Sequence, residues 1–146
     1  MAGTVYPVYD NEFAIGTSGL ASTTEQMVAI ANLETFGLSI DGTIENWNPM
    51  EAKGWAEAML TGKKLSISFK GKRTVGDAGN DYVAGLTWKL GNDVVTLFKW
   101  TFPTGAKVEF PCVVDVKNSG GGDSTNVEPL EFDVHCKGKP TYTAAT

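Results

Sequence analysis

Three stretches of this chain alternate apolar and polar residues with a period of two, and that pattern limits the fold more than any other feature. In 64–70, Leu65, Ile67 and Phe69 alternate with Ser66, Ser68 and Lys70. In 106–117, Val108, Phe110, Cys112, Val114 and Val116 share one parity, while Lys107, Glu109, Asp115 and Lys117 occupy the other. In 127–137, Leu130, Phe132, Val134 and Cys136 alternate with Glu131, Asp133 and His135. Successive strand side chains point to opposite faces, so each segment reads as a strand with one buried face and one wet face. An apolar sheet face needs a second layer to cover it.

Further strands are expected over 25–41, where Val28, Ile30, Phe36, Leu38 and Ile40 share a parity broken at Asn32 and Glu34, and over 94–102, with Pro103-Thr104-Gly105 as a hairpin turn. Gly37 marks a bulge or bend. One helix is expected over 78–90. Asp77 is its N-cap, Tyr82, Val83, Leu86 and Leu90 lie on one face, and Gly91 is the stop. Strands, one helix, then strands describe an α+β or mainly-β sandwich. With 146 residues and no internal repeat, one domain is expected. Residues 1–24, rich in Gly, Ser and Thr, read as an N-terminal arm that docks through Val5, Tyr6, Val8, Tyr9, Phe13 and Ile15. Residues 41–62 read as a long connection with turn signals at Asp41-Gly42 and Asn48-Pro49 and a short helical turn at 50–60; such connections are usually functional. Residues 138–146 read as a short polar tail.

The charge balance excludes several functions. The net charge is −5 and the pI about 4.8, the reverse of the clustered Lys and Arg that grip a DNA backbone. No run approaches the ~20 apolar residues needed to span a bilayer, and the N-terminus has no basic and apolar leader, so no membrane insertion and a cytoplasmic site of synthesis are expected. His135 is the only histidine, so any nucleophilic triad must use it. Its neighbour Cys136 points to the opposite face, and the bland reading is a surface histidine. Cys112 and Cys136 fall on apolar faces and read as core thiols, with a disulfide open only if their strands are neighbours. Neither Gly120-Gly121-Gly122-Asp123-Ser124-Thr125 nor the segments at Gly62-Lys63-Lys64 and Gly71-Lys72-Arg73 complete a phosphate loop. No catalytic residue, metal ligand or cofactor is expected. Lys70, Lys72 and Arg73 form a small basic cluster that reads either as a solvated turn or as a partner contact. Trp88 and Trp100 fit core positions. Trp47 and Trp55 lie in the long connection, where aromatic residues point to an interface or, in a different class, to a carbohydrate-binding platform.

Three sets of segments stand out in order: Ile44-Glu45-Asn46-Trp47-Asn48-Pro49-Met50 leading to Gly54-Trp55; Thr61-Gly62-Lys63 running to Gly71-Lys72-Arg73 and Gly76-Asp77-Ala78-Gly79-Asn80-Asp81-Tyr82-Val83-Ala84; and Phe102-Pro103-Thr104-Gly105-Ala106 followed by Gly120 to Val127 and Glu131-Phe132-Asp133-Val134. With these segments the central block resembles the major tail tube proteins of long-tailed, non-contractile bacteriophages. The likeness covers about residues 25–143. The resemblance implies a mainly-β (α+β) fold, a two-sheet β-sandwich or partial barrel flanked by one α-helix, with a long inter-ring loop at 41–62 and an extended terminal arm. It implies hexameric rings stacked into a tube, with tape measure, tail-tip and tail terminator proteins as partners, and genomic DNA passing through the lumen without specific binding. The virion tail, assembled in the host bacterial cytoplasm, is the implied location. Glu109, Asp115, Glu131 and Asp133 are then candidates for the lumen wall. Tyr6, Tyr9, Phe13, Trp47, Trp55, Lys72 and Arg73 are candidates for contacts between subunits. The fold is similar to that of type VI secretion tubes, so a secretion or contractile injection tube is the alternative within the same class.

Overall fold

The computed structural model describes residues 3–145. Its strands are β1 (Glu12–Gly16), β2 (Met27–Ala29), β3 (Leu33–Trp47), β4 (Glu57–Lys72), β5 (Val95–Thr101), β6 (Lys107–Asn118), β7 (Pro129–Cys136) and β8 (Thr141–Thr143). The one α-helix among the described residues, α1, spans Ala78–Gly85. All pairings are antiparallel, in the order β2-β1-β5-β6-β7-β4-β3, with β8 beside β6.

One hydrogen-bonded sheet makes two layers because β6 serves both. Its first half pairs with β5, from Thr101↔Lys107 to Val95↔Val113, and its second half pairs with β7, from Cys112↔Cys136 to Asn118↔Glu131. The layers face each other. Phe13 of β1 lies 4.8 Å from Phe36 of β3 and 4.7 Å from Phe69 of β4, ring centre to ring centre, although β1 and β3 stand near opposite ends of the strand order. The sheet therefore curls into an open, barrel-like sandwich: the mainly-β fold with one helix is as expected, and the two sheets expected are layers of one continuous sheet. Phe69, Phe98, Phe132, Ile67, Leu130 and Val134 are fully enclosed between the layers, and every one comes from the apolar parity of its strand.

The helix closes one opening. Asp77 caps it by accepting from Asn80 N at 3.0 Å, and Val83 and Leu86 reach the core. Gly79 lets it sit close: a Cβ there would overlap the carbonyl of Ala29. Likewise a Cβ on Gly71 would overlap the carbonyl of Asn32, at the start of β3.

Several sequence expectations need correction. The helix ends at Gly85, not near 90, and one 3-10 turn (Leu86–Trp88) follows. Trp88 and Leu90 stand in solvent, so Trp88 is not a core residue; Trp100 is. The strand foreseen over 25–41 divides at Asn32, whose φ of 59° turns the chain between β2 and β3. The arm expected over 1–24 holds β1, a sheet strand whose Ile15 is fully buried, and residues 3–10 before it are exposed. The tail contributes β8. The largest difference concerns 41–62, which is mostly strand rather than loop.

Candidate assembly surfaces

β3 and β4 form a ribbon far longer than the body. They pair from Leu33↔Gly71 to Trp47↔Glu57, with a bulge beside Thr43 and Ile44. β4 meets β7 only from Ser66 to Lys72. Beyond that level the ribbon's strands have only each other, and residues 48–56 make the tip, where a 3-10 turn (Met50–Ala52) ends in a left-handed Lys53. The apolar parity of the core continues along one ribbon face. Leu38 and Ile40 sit beside Ile67 and Leu65, then Ile44 sits opposite Leu60, which leans over Gly42. Leu38, Ile40, Ile44 and Leu60 on this face are all exposed, as are Trp47 and Met59 on the other face, and at the tip Met50 is 92% and Trp55 80% exposed. A two-stranded ribbon is marginally stable alone in water, and a chain seldom exposes so long an apolar strip without a partner.

The layer containing this ribbon has two open edges. One is the outer side of β3. The other is β6 beyond Val113, where pairing with β5 has ended. Unpaired edges of this kind are templates for pairing with another chain.

A third feature lies at the ribbon's root. A cleft of about 770 Å³ opens between the layers, walled by Leu38, Ile40, Leu65, Trp100, Phe102 and Val108. Cys136 and Pro140 complete its floor, and Lys63, Lys64 and Lys139 stand at its rim. Cys136 donates to the Gly138 carbonyl (3.0 Å). Cys112, its register partner on β6, is sealed from solvent, and burial pushes its thiol up to about 12. Burial also raises Cys136, which is only partly covered. These are neighbouring free thiols, which answers the question the sequence left open.

The candidate lumen residues fall into two groups. Asp115, Glu131 and Asp133 share the wet face of the ribbon-bearing layer; Asp115 is directly opposite Asp133, and Glu131 is opposite Lys70 of β4. Glu109 lies apart, on the half of β6 that pairs with β5 and β8, opposite Lys99 and 3.5 Å from Lys107. The face is of mixed charge. Lys117 holds Asp115 at 2.7 Å, and that bond raises the lysine's own pKa. Facing carboxylates repel across strands, and this lysine offsets the repulsion. Donor atoms of Asp115, Asp133 and His135 come within 4.8 Å of one another, a grouping that the strand alternation of 115, 133 and 135 foreshadowed only in part.

Of the contact candidates, Tyr6, Tyr9, Trp47 and Trp55 are exposed. Phe13 is not free for a partner, since it packs against Phe36, Phe69, Phe98 and Trp100 of its own chain. Arg73 is likewise engaged internally: Nη1 donates to Asp81 at 2.8 Å, to Asn80 Oδ1 at 2.9 Å and to the Thr74 carbonyl at 2.9 Å. Lys72 pairs with Glu34 at 3.0 Å on the surface. The residues that sequence reasoning missed are the apolar ones on the ribbon, Leu38, Ile40, Ile44, Met50 and Leu60. Their signal was an apolar parity shared with the core strands but masked by Gly42, Thr61 and Gly62.

No protein-family model matches the chain, and no curated protein matches it. Solved structures do. A chain in the tail of an empty gene transfer agent particle, refined with C6 symmetry, superposes with a TM-score of 0.72 at 19% identity, over 96% of this chain and 100% of that one. A chain in the virion of a native gene transfer agent particle gives 0.71 at 18%, over 96% and 100%. A chain of the sheath–tube complex of an extracellular contractile injection system (PVC), in its extended state, gives 0.56 at 12%, over 97% and 93%. At these identities the likeness establishes the fold: this chain shares the fold of chains in a gene transfer agent particle and in a contractile injection system.

Proposed function

We propose that this chain is the tail tube subunit of a long-tailed bacteriophage or phage-derived particle, a structural protein that assembles as hexameric rings stacked into a tube for genome delivery. The observation that carries the proposal is the ribbon, which projects beyond the body with Leu38, Ile40, Ile44 and Leu60 exposed on the face that continues the core, and nothing among the described residues covers them. A second copy is the natural cover. The two open edges of the same layer support a ring: joining β3 of one copy to the second half of β6 on the next is β-augmentation, and a head-to-tail contact repeated with the right rotation closes. The shared fold with a tail chain arranged in C6 symmetry supports six copies per ring. The ribbon, rather than a flexible loop, then reaches the neighbouring ring.

In such a ring the ribbon-bearing layer faces the lumen. Its wet face carries Asp115, Glu131 and Asp133 beside Ser66, Ser68 and His135. Carboxylates held on a rigid wall repel phosphate and keep DNA from adhering. Glu109, on the other layer, lies outside this wall. We expect Glu131→Lys with Asp133→Lys to leave tubes intact while slowing or blocking DNA ejection; unaltered ejection would remove the carboxylates from the lumen reading. Tape measure, tail-tip and terminator proteins would meet the tube at its lumen and ends, in a virion tail assembled in the host cytoplasm.

A second reading, the tube of a contractile injection or secretion machine, draws on the match at TM-score 0.56. The carbohydrate-binding alternative asks for Trp47 and Trp55 on a rigid platform, whereas they sit at the end of a projecting ribbon. Negative-stain microscopy of the purified protein over a range of concentrations, with tail-tip complex added as nucleus, tests the proposal. Hollow tubes of stacked rings are expected. A chain that stays monomeric even with the nucleus contradicts it.

A further inference from the structure

We infer that the cleft at the root of the ribbon is the socket for the ribbon tip of a second copy stacked head to tail, an assignment that rests on the tube reading above. Three observations carry it. The first is what the two surfaces offer. The cleft is apolar, walled by Leu38, Leu65, Trp100 and Phe102, and its volume of about 770 Å³ lies within the range of about 300–1,000 Å³ common for specific binding clefts. The tip offers Met50 and Trp55, among the most exposed large apolar side chains of the described residues.

The second is charge. The cleft's rim carries Lys63, Lys64 and Lys139, and among the described residues none of them is paired with a carboxylate. Residues 44–57 carry Glu45, Glu51 and Glu57 against the single Lys53. An acidic, apolar tip is the complement of a basic-rimmed, apolar cleft, and matched charge at the rim sets partner and register.

The third is length. The tip does not sit at its own cleft: from Ile40, in the cleft wall, to Trp47 the paired strand continues for seven steps through the bulge at Thr43 and Ile44, about 23 Å at ~3.3 Å per step. The body has a similar extent along the strands, since Ser66 to Lys72, the stretch of β4 paired with β7, spans six steps, about 20 Å. A copy stacked axially therefore delivers its tip one body length down, to the level of the next copy's cleft.

Cys136 allows a direct test, because a native thiol already lies in the cleft. Met50→Cys, and separately Trp55→Cys, would be assembled into tubes, oxidised with copper–phenanthroline and run on a non-reducing gel. Ladders of cross-linked subunits are expected, and they should vanish when Cys136→Ser is added. Tubes that form normally but yield no link through Cys136 would overturn the socket while leaving the tube reading in place; an unmodified chain that never polymerises would overturn the reading itself. A charge exchange supplies an independent arm. Lys139→Glu and Glu51→Lys, each folded by circular dichroism, should each raise the critical concentration for assembly about tenfold, and combining them in one chain should restore it. Singles that assemble like the unmodified chain would contradict the assignment.

Discussion

Asn80 is fully buried yet polar, and it holds the point where three segments meet. Its Nδ2 donates to the carbonyls of Lys72 at 2.9 Å and Ala31 at 3.2 Å, and its Oδ1 accepts from Thr74 N and Arg73 Nη1, both at 2.9 Å. Asp77 adds a bond from Ala31 N at 3.0 Å. One side chain thus ties the β2–β3 turn, the end of β4 and the start of α1 together. Asn80→Ala strands these groups in a site closed to water, and we expect a loss of about 2–3 kcal/mol in urea unfolding at an unchanged m-value. The sequence marked this residue only as lying three positions after an N-cap, since nothing local reveals a partner some fifty residues away. The cysteines differ in the same way. Both were legible as inward-facing, but only the folded structure separates a sealed Cys112 from a partly covered Cys136 that lines a cleft. At pH 8, one thiol per chain should react promptly with a maleimide, and Cys136→Ser should abolish that phase; Cys112, pushed up to about 12, should react only as the protein unfolds.

At the scale of elements, β6 and β7 were readable because each has one face in the core and one in water, the condition that writes strict alternation into a strand. The outer ribbon does not meet it within one chain. Its apolar face has no cover, its two faces are both exposed, and Gly42, Gly62, Asn48-Pro49 and Gly54 punctuate it, so residues 41–62 carry the marks of a loop while pairing as strands. The helix was overextended for a related reason: Leu86 continues its apolar face, but the chain tightens into a 3-10 turn after Gly85 and turns Trp88 outward. Ile44 and Leu60 face each other across the ribbon, away from the core. Ile44→Ser with Leu60→Ser should therefore leave the monomer's melting temperature within a degree or two, because surface changes rarely exceed about 0.5 kcal/mol, and should abolish tube formation by sedimentation. A melting temperature lowered by ten degrees would show that the ribbon face is packed within its own subunit.

The whole molecule is a curled sheet whose phenylalanines fill the inside and whose longest unpaired element is the ribbon of one layer. Phe69 stacks on Phe132 at 5.0 Å, and Phe13 bridges the layers, so the body carries its own stability. The ribbon, the edges of β3 and β6, and the basic-rimmed cleft are what remain, and under the tube proposal each would be completed by another copy. The fold class could be read from strand periodicity; which surfaces await a partner could not, because covered and uncovered apolar residues look alike until the chain has folded. The central claim is that the ribbon finishes folding only in the assembly. Amide hydrogen exchange compared between free subunit and tube measures this most directly. The account predicts fast exchange for 38–47 and 57–65 in the free subunit, strong protection of the same residues in the tube, and little change in β5 and β7. Ribbon amides equally protected in both states would contradict it.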